Sequence, residues 1–202
     1  MVVRSSTIEQ AASALLRGDA AIFPTDTVYG VGVAVGAAEG PQLLYNLKER
    51  ESGKPIAWLV GGVEDLDRYG CEIPELAYRL ARAFWPGPLT LVVKASNEVP
   101  PAFCSEAGTI GLRMPDSKTA CALIDAVGMP LATTSANFSG QAASCKSVEL
   151  DPAFVERVGL MVVDADDAGK SGVASTVIDC TQAQPIIVRE GAVTLADIRL
   201  LP

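Results

Sequence analysis

Histidine is absent from the 202-residue sequence. Its absence removes Ser-His and Cys-His nucleophilic machinery and the commonest metal ligand. Cysteine is scarce and poorly spaced for structural use. Cys71, Cys104, Cys121, Cys145 and Cys180 give an odd count of five with no C-x-x-C pair. Neither a disulfide framework nor a zinc site is expected, and a reducing compartment fits. Aromatic residues make up only 5 % of the chain, and 16 basic residues face 24 acidic ones, for a formal charge of −8. A broad nucleic-acid-binding face needs positive charge and stacking rings, so this balance disfavours one while allowing a local basic cleft. No apolar run is long enough to cross a bilayer, and MVVRSSTIEQ has no signal-peptide core, so a soluble cytoplasmic protein is expected. A Walker loop is missing too, because GKSG at Gly169 lacks the upstream glycine, and there is no G-x-S-x-G elbow.

What is present is a globular composition, 49 % apolar, in a chain long enough to bury a core without metals or disulfides. Ser6 with Glu9 predicts a capping box. Ile8, Ala11, Ala12, Leu15 and Leu16 follow at helical spacing, with Gly18 as the stop. AAIFP predicts a strand ending at Pro24, and VYGVGVAVG a second one whose glycines leave the backbone bare. Leu43, Leu44 and Leu47 mark a helix broken by Gly53, PIAWLV a buried strand, and Leu76 to Phe84 a helix ending before Pro86. LTLVV and TIGLRM predict neighbouring strands with some antiparallel pairing. Ala120 to Val127 predicts a helix ending at Gly128. PLATT, LMVVD, STVID and PIIVR complete the strands. Helices and strands mingle without a linker or repeat, which predicts a single α/β layered domain over residues 1–202.

Six segments carry polar residues where chemistry is plausible. PTDTVYGVG (Pro24 to Gly32) puts hydroxyls and a carboxylate at a strand end, suited to a ligand or to capping a turn. KERESGKP gathers Lys48, Arg50 and Lys54 behind a helix, either as a phosphate grip or as a solvated helix end. WPGPLTLVV reads as a rigid turn feeding a strand, with Trp85 a possible pocket wall. In TIGLRMP, Arg113 interrupts an apolar strand, so it is salt-bridged or holds an anion such as a carboxylate. TTSANFSG runs from a buried strand into Thr133, Thr134, Ser135 and Asn137, the position of a ligand crevice at a strand's carboxyl end. GVASTVIDC and VREG add Ser175, Thr176, Arg189 and Gly191, each weak alone.

Taken together and in order, PTDTVYG, the K-x-R at Lys48 and Arg50, the KP at Lys54, WPGPLT, the R-x-P at Arg113, TSAN-x-SG, STV and the R-x-G at Arg189 resemble the YrdC/TsaC family of threonylcarbamoyl-AMP synthases. The resemblance covers about residues 20–191. It implies an open twisted mixed sheet with flanking helices and a concave basic cavity. It also implies conversion of L-threonine, bicarbonate and ATP to threonylcarbamoyl-AMP and pyrophosphate, for the threonylcarbamoyladenosine modification of tRNA position 37. By that resemblance Arg50, Lys54, Thr109, Ser135 and Arg189 contact ATP, and Lys48 and Asn137 complete the catalytic K-x-R and S-x-N signatures with Arg50 and Ser135. Thr27, Arg113, Thr133 and Ser175 hold threonine, and Mg²⁺ arrives with the nucleotide. No protein metal site is implied. A downstream threonylcarbamoyl-transferase complex takes the product; contact with tRNA is a further possible partnership, and a membrane is not. Two departures stand out: the sequence reads to residue 202, so no C-terminal domain like that of longer relatives is expected, and it has Trp58 and Leu59 where those relatives often carry a histidine after KP. The alternatives are a YciO-type paralogue or a nucleic-acid-binding module, neither with adenylating activity.

Overall fold

The computed structural model describes residues 6–53, 56–163, 170–182 and 184–200. Its elements, in order, are α1 (Ile8–Leu16), β1 (Ala21–Pro24), β2 (Tyr29–Ala34), α2 (Gln42–Lys48), β3 (Ala57–Leu59), α3 (Asp65–Tyr69), β4 (Gly70–Cys71), α4 (Glu75–Phe84), β5 (Leu89–Ala95), β6 (Thr109–Arg113), α5 (Lys118–Val127), β7 (Leu131–Ser135), α6 (Pro152–Val158), β8 (Thr176–Asp179), β9 (Ile186–Arg189) and α7 (Leu195–Arg199).

Local chemistry explains most boundaries. The cap of α1 lies one residue beyond the predicted one: Thr7 accepts from Gln10 N, and Gln10 Oε1 accepts from Thr7 N, so Thr7 and Gln10 form the box in place of Ser6 and Glu9. Ser117 caps α5, and Gly128, at φ 71°, supplies the left-handed residue that ends it. Helix α4 has Glu75, Arg79 and Arg82 outside and Ala77, Leu80 and Ala81 inside. Helix α2 stops before Gly53, at Glu49. The predicted strand LMVVD is reduced to one parallel bridge, Ile22 with Met161.

The strands form one sheet in the order β1-β2-β7-β3-β6-β5-β8-β9, with β4 paired to the end of β5. The pairs β3–β6 and β5–β8 are parallel and the others antiparallel, including the expected β5–β6 pair. This is the open, twisted, mixed sheet with flanking helices implied by the sequence.

The sheet's two faces are treated differently. One carries Ile22, Trp58, Leu89, Leu91, Leu112 and Ala132, which pack with residues of α2, α3, α4 and α6 into the larger apolar cluster. Trp58 is fully buried there, edge-on to Tyr69 and Phe103 at centroid distances of 5.3 and 5.9 Å. Its Nε1 has no hydrogen-bond partner among the described residues, which costs about 1–3 kcal/mol. Burying some 150–250 Å² of indole at about 25 cal/mol per Å² gives roughly 4–6 kcal/mol, so the ring stays inside. On the opposite face α1 and α5 pack over Ala21, Phe23, Leu59 and Leu131. Much of the rest of that face carries small residues, Gly30, Ala57, Thr90, Gly111 and Thr133, among Val92, Val177 and Arg113. Because side chains alternate along a strand, large residues at one parity and small ones at the other give a filled layer on one side and a hollow on the other.

Gly191 closes the β8–β9 end. A Cβ there would lie 2.1 Å from the Ala174 carbonyl oxygen and 2.7 Å from Thr176 N, while its own N–H donates to Thr176 Oγ1 at 2.9 Å. We predict that Gly191→Ala lowers unfolding free energy by about 1–3 kcal/mol through overpacking. Urea denaturation checks this; an unchanged midpoint contradicts the close approach.

Candidate functional site

The hollow has a volume of about 460 Å³. Thr27 follows β1, and Thr133 and Ser135 end β7. Thr109 and Arg113 open and close β6, and Ser175 and Arg189 come from the β8–β9 edge. Arg50 enters from the segment after α2. All eight line this one hollow, as the resemblance requires of residues spread over most of the chain. Among the described residues its lining includes three arginines and no carboxylate, so these residues give it a positive field.

Arg113 is the most constrained of them. It is 6 % exposed. Its Nε donates to the Gly87 carbonyl at 3.1 Å, one Nη to Thr27 Oγ1 at 3.1 Å, and the other Nη to Asp26 Oδ1 at 2.5 Å. The sequence left open whether this cation is salt-bridged or holds an anion; it is salt-bridged to Asp26 and also lines the hollow. Burial lowers its pKa, and the Asp26 charge opposes that shift. The turn carrying its partners is held from several sides. Thr25 Oγ1 bonds the Val28 carbonyl and the Thr27 and Val28 amides, while Ser171 N and Gly172 N donate to the Asp26 and Thr27 carbonyls.

Across the hollow, Arg189 donates to the Ser175 carbonyl at 3.1 and 2.8 Å and to Ser175 Oγ at 3.2 Å. That hydroxyl lies 3.0 Å from Thr90 Oγ1. Burial also lowers the Arg189 pKa. Thr109 Oγ1 pairs with Ser105 Oγ at 2.7 Å. Arg50, half-buried, forms no side-chain hydrogen bond or ion pair with a described residue, leaving a guanidinium fork open to the hollow.

Two predicted residues do not line the hollow. Lys48 is buried, and its Nζ donates to the Ser135 and Asn137 carbonyls at 2.5 and 2.6 Å. Asn137 Nδ2 donates to the Phe138 and Gln141 carbonyls. They shape the turn after β7 from behind. Burial, with a smaller repulsion from Arg50, lowers the Lys48 pKa to about 8. Lys54 lies outside the described residues. Trp85 is no wall of the hollow; it is buried, with Nε1 donating to the Leu89 carbonyl at 2.7 Å. Leu59, at one of the two departures from the family pattern, does line it.

Asp26, Thr25, Thr90 and Ser105 belong to the site and were not singled out from the sequence. Asp26 stands in the same PTDTVYGVG segment, where a turn cap and an ion pair look alike until Arg113 is brought beside it. Thr90 gave a signal only through strand parity, two residues before Val92 on the same lining face.

Residues 13–191 match the family model Sua5_yciO_yrdC, described as telomere recombination. A Pyrococcus abyssi protein named threonylcarbamoyl-AMP synthase is 34 % identical over 193 residues, covering 95 % of this chain and 56 % of the relative. The structure of P. abyssi Sua5 complexed with L-threonine superposes with a TM-score of 0.84, again over 95 % of this chain and 56 % of that one. This chain therefore spans little more than half of that relative's length. A putative threonylcarbamoyl-AMP synthase of Mycobacterium leprae is 38 % identical over 200 residues, 96 % of this chain and 87 % of the relative. Escherichia coli YciO superposes with a TM-score of 0.76 at 26 % identity, covering 92 % of this chain and 89 % of that one.

The contrast between Lys48 and Arg50 is testable. Lys48→Met removes the donor of the buried Asn137 carbonyl, while the Ser135 carbonyl keeps Asn137 N at 3.0 Å, so unfolding free energy should drop by about 1–3 kcal/mol, whereas Arg50→Ala should stay within about 0.5 kcal/mol. The lysine also sets a pH signature. Its folded pKa of about 8 lies below the unfolded value of 10.5, so the unfolded chain binds more protons between them. Wild-type stability relative to Lys48→Met should therefore rise from pH 8 to 10.5, by up to roughly 3 kcal/mol, and be flat below pH 7. Urea titrations at several pH values measure both; a difference that falls with rising pH contradicts the burial argument.

Proposed function

The chain belongs to the Sua5/YciO/YrdC family, and from that premise we propose that it makes threonylcarbamoyl-AMP from L-threonine, bicarbonate and ATP, releasing pyrophosphate and water, for threonylcarbamoyladenosine synthesis on tRNA. One observation carries the reading: Arg50, Arg113 and Arg189 converge with Thr27, Thr109, Thr133, Ser135 and Ser175 on one hollow that no carboxylate among the described residues lines. The names of the relatives, and the L-threonine in the P. abyssi complex, point to the same substrate.

In this scheme the threonine carboxylate meets Arg113, which keeps one unused N–H on each terminal nitrogen. Thr27, Thr133 and Ser175 offer hydroxyls to the amine and side chain. The neutral amine attacks the carbon of bicarbonate or CO₂, forming a C–N bond; in the bicarbonate case water leaves, and in the CO₂ case the amine proton passes to solvent. A carbamate oxygen then attacks the α-phosphorus in line, and the bond to the β-phosphate oxygen breaks. Charge on the departing pyrophosphate is met by Arg50 and Arg189, with Lys54 assigned to the same role by its motif. Thr109 and Ser135 bind the nucleotide, while Lys48 and Asn137 hold the turn that presents Ser135. Among the described residues no three His, Cys, Asp or Glu side chains form a metal-binding group. In this reading Mg²⁺ would arrive with the substrate, as MgATP, and screen the phosphates. Positioning and fixed charge suffice for such a step, so the lack of histidine is no obstacle. The product would pass to a threonylcarbamoyl-transferase.

Pyrophosphate release measured with purified protein tests the proposal. It should require threonine and bicarbonate together; release indifferent to either would sink it, and RNA binding without turnover would favour a binding module. Arg50→Ala should raise the ATP requirement and Arg113→Ala the threonine requirement, each by roughly 10- to 100-fold, as expected for about 1.5–3 kcal/mol from a charged hydrogen bond. If Arg113→Ala changes only ATP affinity, its assignment to threonine is wrong.

A further inference from the structure

We propose that Asp26 is the positioning residue for amino-acid recognition: it fixes the Arg113 guanidinium so that its remaining N–H donors meet a carboxylate in one orientation. The inference rests on the reading above, and it assigns a role to a residue outside the hollow's lining. Asp26 is nearly as buried as its partner, with 12 % side-chain exposure against 8 % for Arg113. A carboxylate so placed does not meet the substrate directly; it works through the cation.

A guanidinium has five N–H donors in one plane. Nε is taken by the Gly87 carbonyl, one donor by Thr27 Oγ1 and one by Asp26 Oδ1. Three anchors from two separate segments fix both the position and the roll of the plane. Of these, only Asp26 is charged, and a charged acceptor makes the strongest of the three bonds. The backbone behind Asp26 is itself tied down: Ser171 N donates to its carbonyl at 2.9 Å, and Ser117 Oγ donates to the Pro24 carbonyl at 3.0 Å. The carboxylate is thus a rigid fixture and not a mobile counter-ion. It also neutralises part of the Arg113 charge, so carboxylate recognition here depends on direction more than on net attraction.

The test compares wild type, Asp26→Asn and Asp26→Glu, with folding followed by circular dichroism. L-threonine binding is measured by calorimetry, and KM is measured separately for threonine and ATP. Asp26→Asn keeps the shape and removes the charge; its threonine Kd and KM should rise about tenfold or more while the ATP KM stays within about twofold. Asp26→Glu keeps the charge with a longer reach and should show a smaller threonine defect, and it carries the test if the asparagine variant does not fold. An unchanged threonine Kd in a folded variant overturns the proposal, as does an equal rise in both KM values, which would signal a collapsed hollow. If the wild type itself neither binds threonine nor releases pyrophosphate with it, the functional reading fails and takes this role with it. A wild type that does both, beside variants unchanged for threonine, sinks the positioning role alone.

Discussion

A cation held inside a sheet must be paired or neutralised, and the site is organised around that requirement at Arg113. An isolated buried charge costs several kcal/mol, and the attraction of one partner offsets this only with good geometry and further hydrogen bonds. The guanidinium therefore draws in three segments: the turn after β1 through Asp26 and Thr27, the turn before β5 through the Gly87 carbonyl, and the strand β6 that carries it. Those contacts in turn fix where the chain at Ser171 and Gly172 can lie, because its amides close on the Asp26 and Thr27 carbonyls. The front of the cation, with its spare donors, is what remains for a ligand.

The hollow itself follows from strand parity. On β3, β6 and β7 the residues facing the larger cluster are Trp58, Leu112 and Ala132, while Ala57, Gly111 and Thr133 face the other way. Gly111 shows how tightly this is set, since a Cβ there would stand 3.2 Å from Thr90 Cγ2. Helices α1 and α5 cover only part of that face, and the uncovered part is lined by bare backbone, short hydroxyls, arginine and apolar side chains such as Ile56, Val92 and Val177. A hollow of about 460 Å³ sits within the roughly 300–1,000 Å³ range of ligand sites. Its rim is flanked by a second hollow of about 410 Å³ that shares Ile56, Phe103 and Ser105.

Much of this was legible in the sequence, for identifiable reasons. Helices α1, α4 and α5 carry their period and their stops, and strands β1, β2, β5, β6 and β7 are bounded by Pro, Gly or polar runs. The misses are physical too. LMVVD has strand composition, but Ile22 at the sheet's edge strand accepts only one bridge from it. Helix α6 has an Asp151 cap, Pro152 at its first turn and Gly159 after its end, yet at seven residues it shows too little period to stand out. The hydroxyl-rich strand ends, legible in the sequence, do line the hollow. The pairing of Asp26 with Arg113 was not, because 87 residues separate them and no local pattern encodes that distance.

The K-x-R pair shows how one backbone angle divides two cations between two tasks. Glu49 lies between them in the left-handed region, φ 52°, and Arg50 N reaches back to the Tyr45 carbonyl at 3.0 Å, the reversal that ends α2. Such a conformation costs a residue with a side chain about 1 kcal/mol or more. Arg157 of α6 offsets it, donating to both the Glu49 carboxylate at 2.8 Å and the Leu47 carbonyl at 3.2 Å. With the chain turned there, Lys48 points inward to the carbonyls behind Ser135, and Arg50 emerges into the hollow without a protein partner among the described residues. A glycine at position 49 would adopt the angle without strain but would lose the carboxylate that Arg157 holds. The glutamate therefore links the outer helix to the hollow's wall, and the two cations take different roles although only one residue separates them.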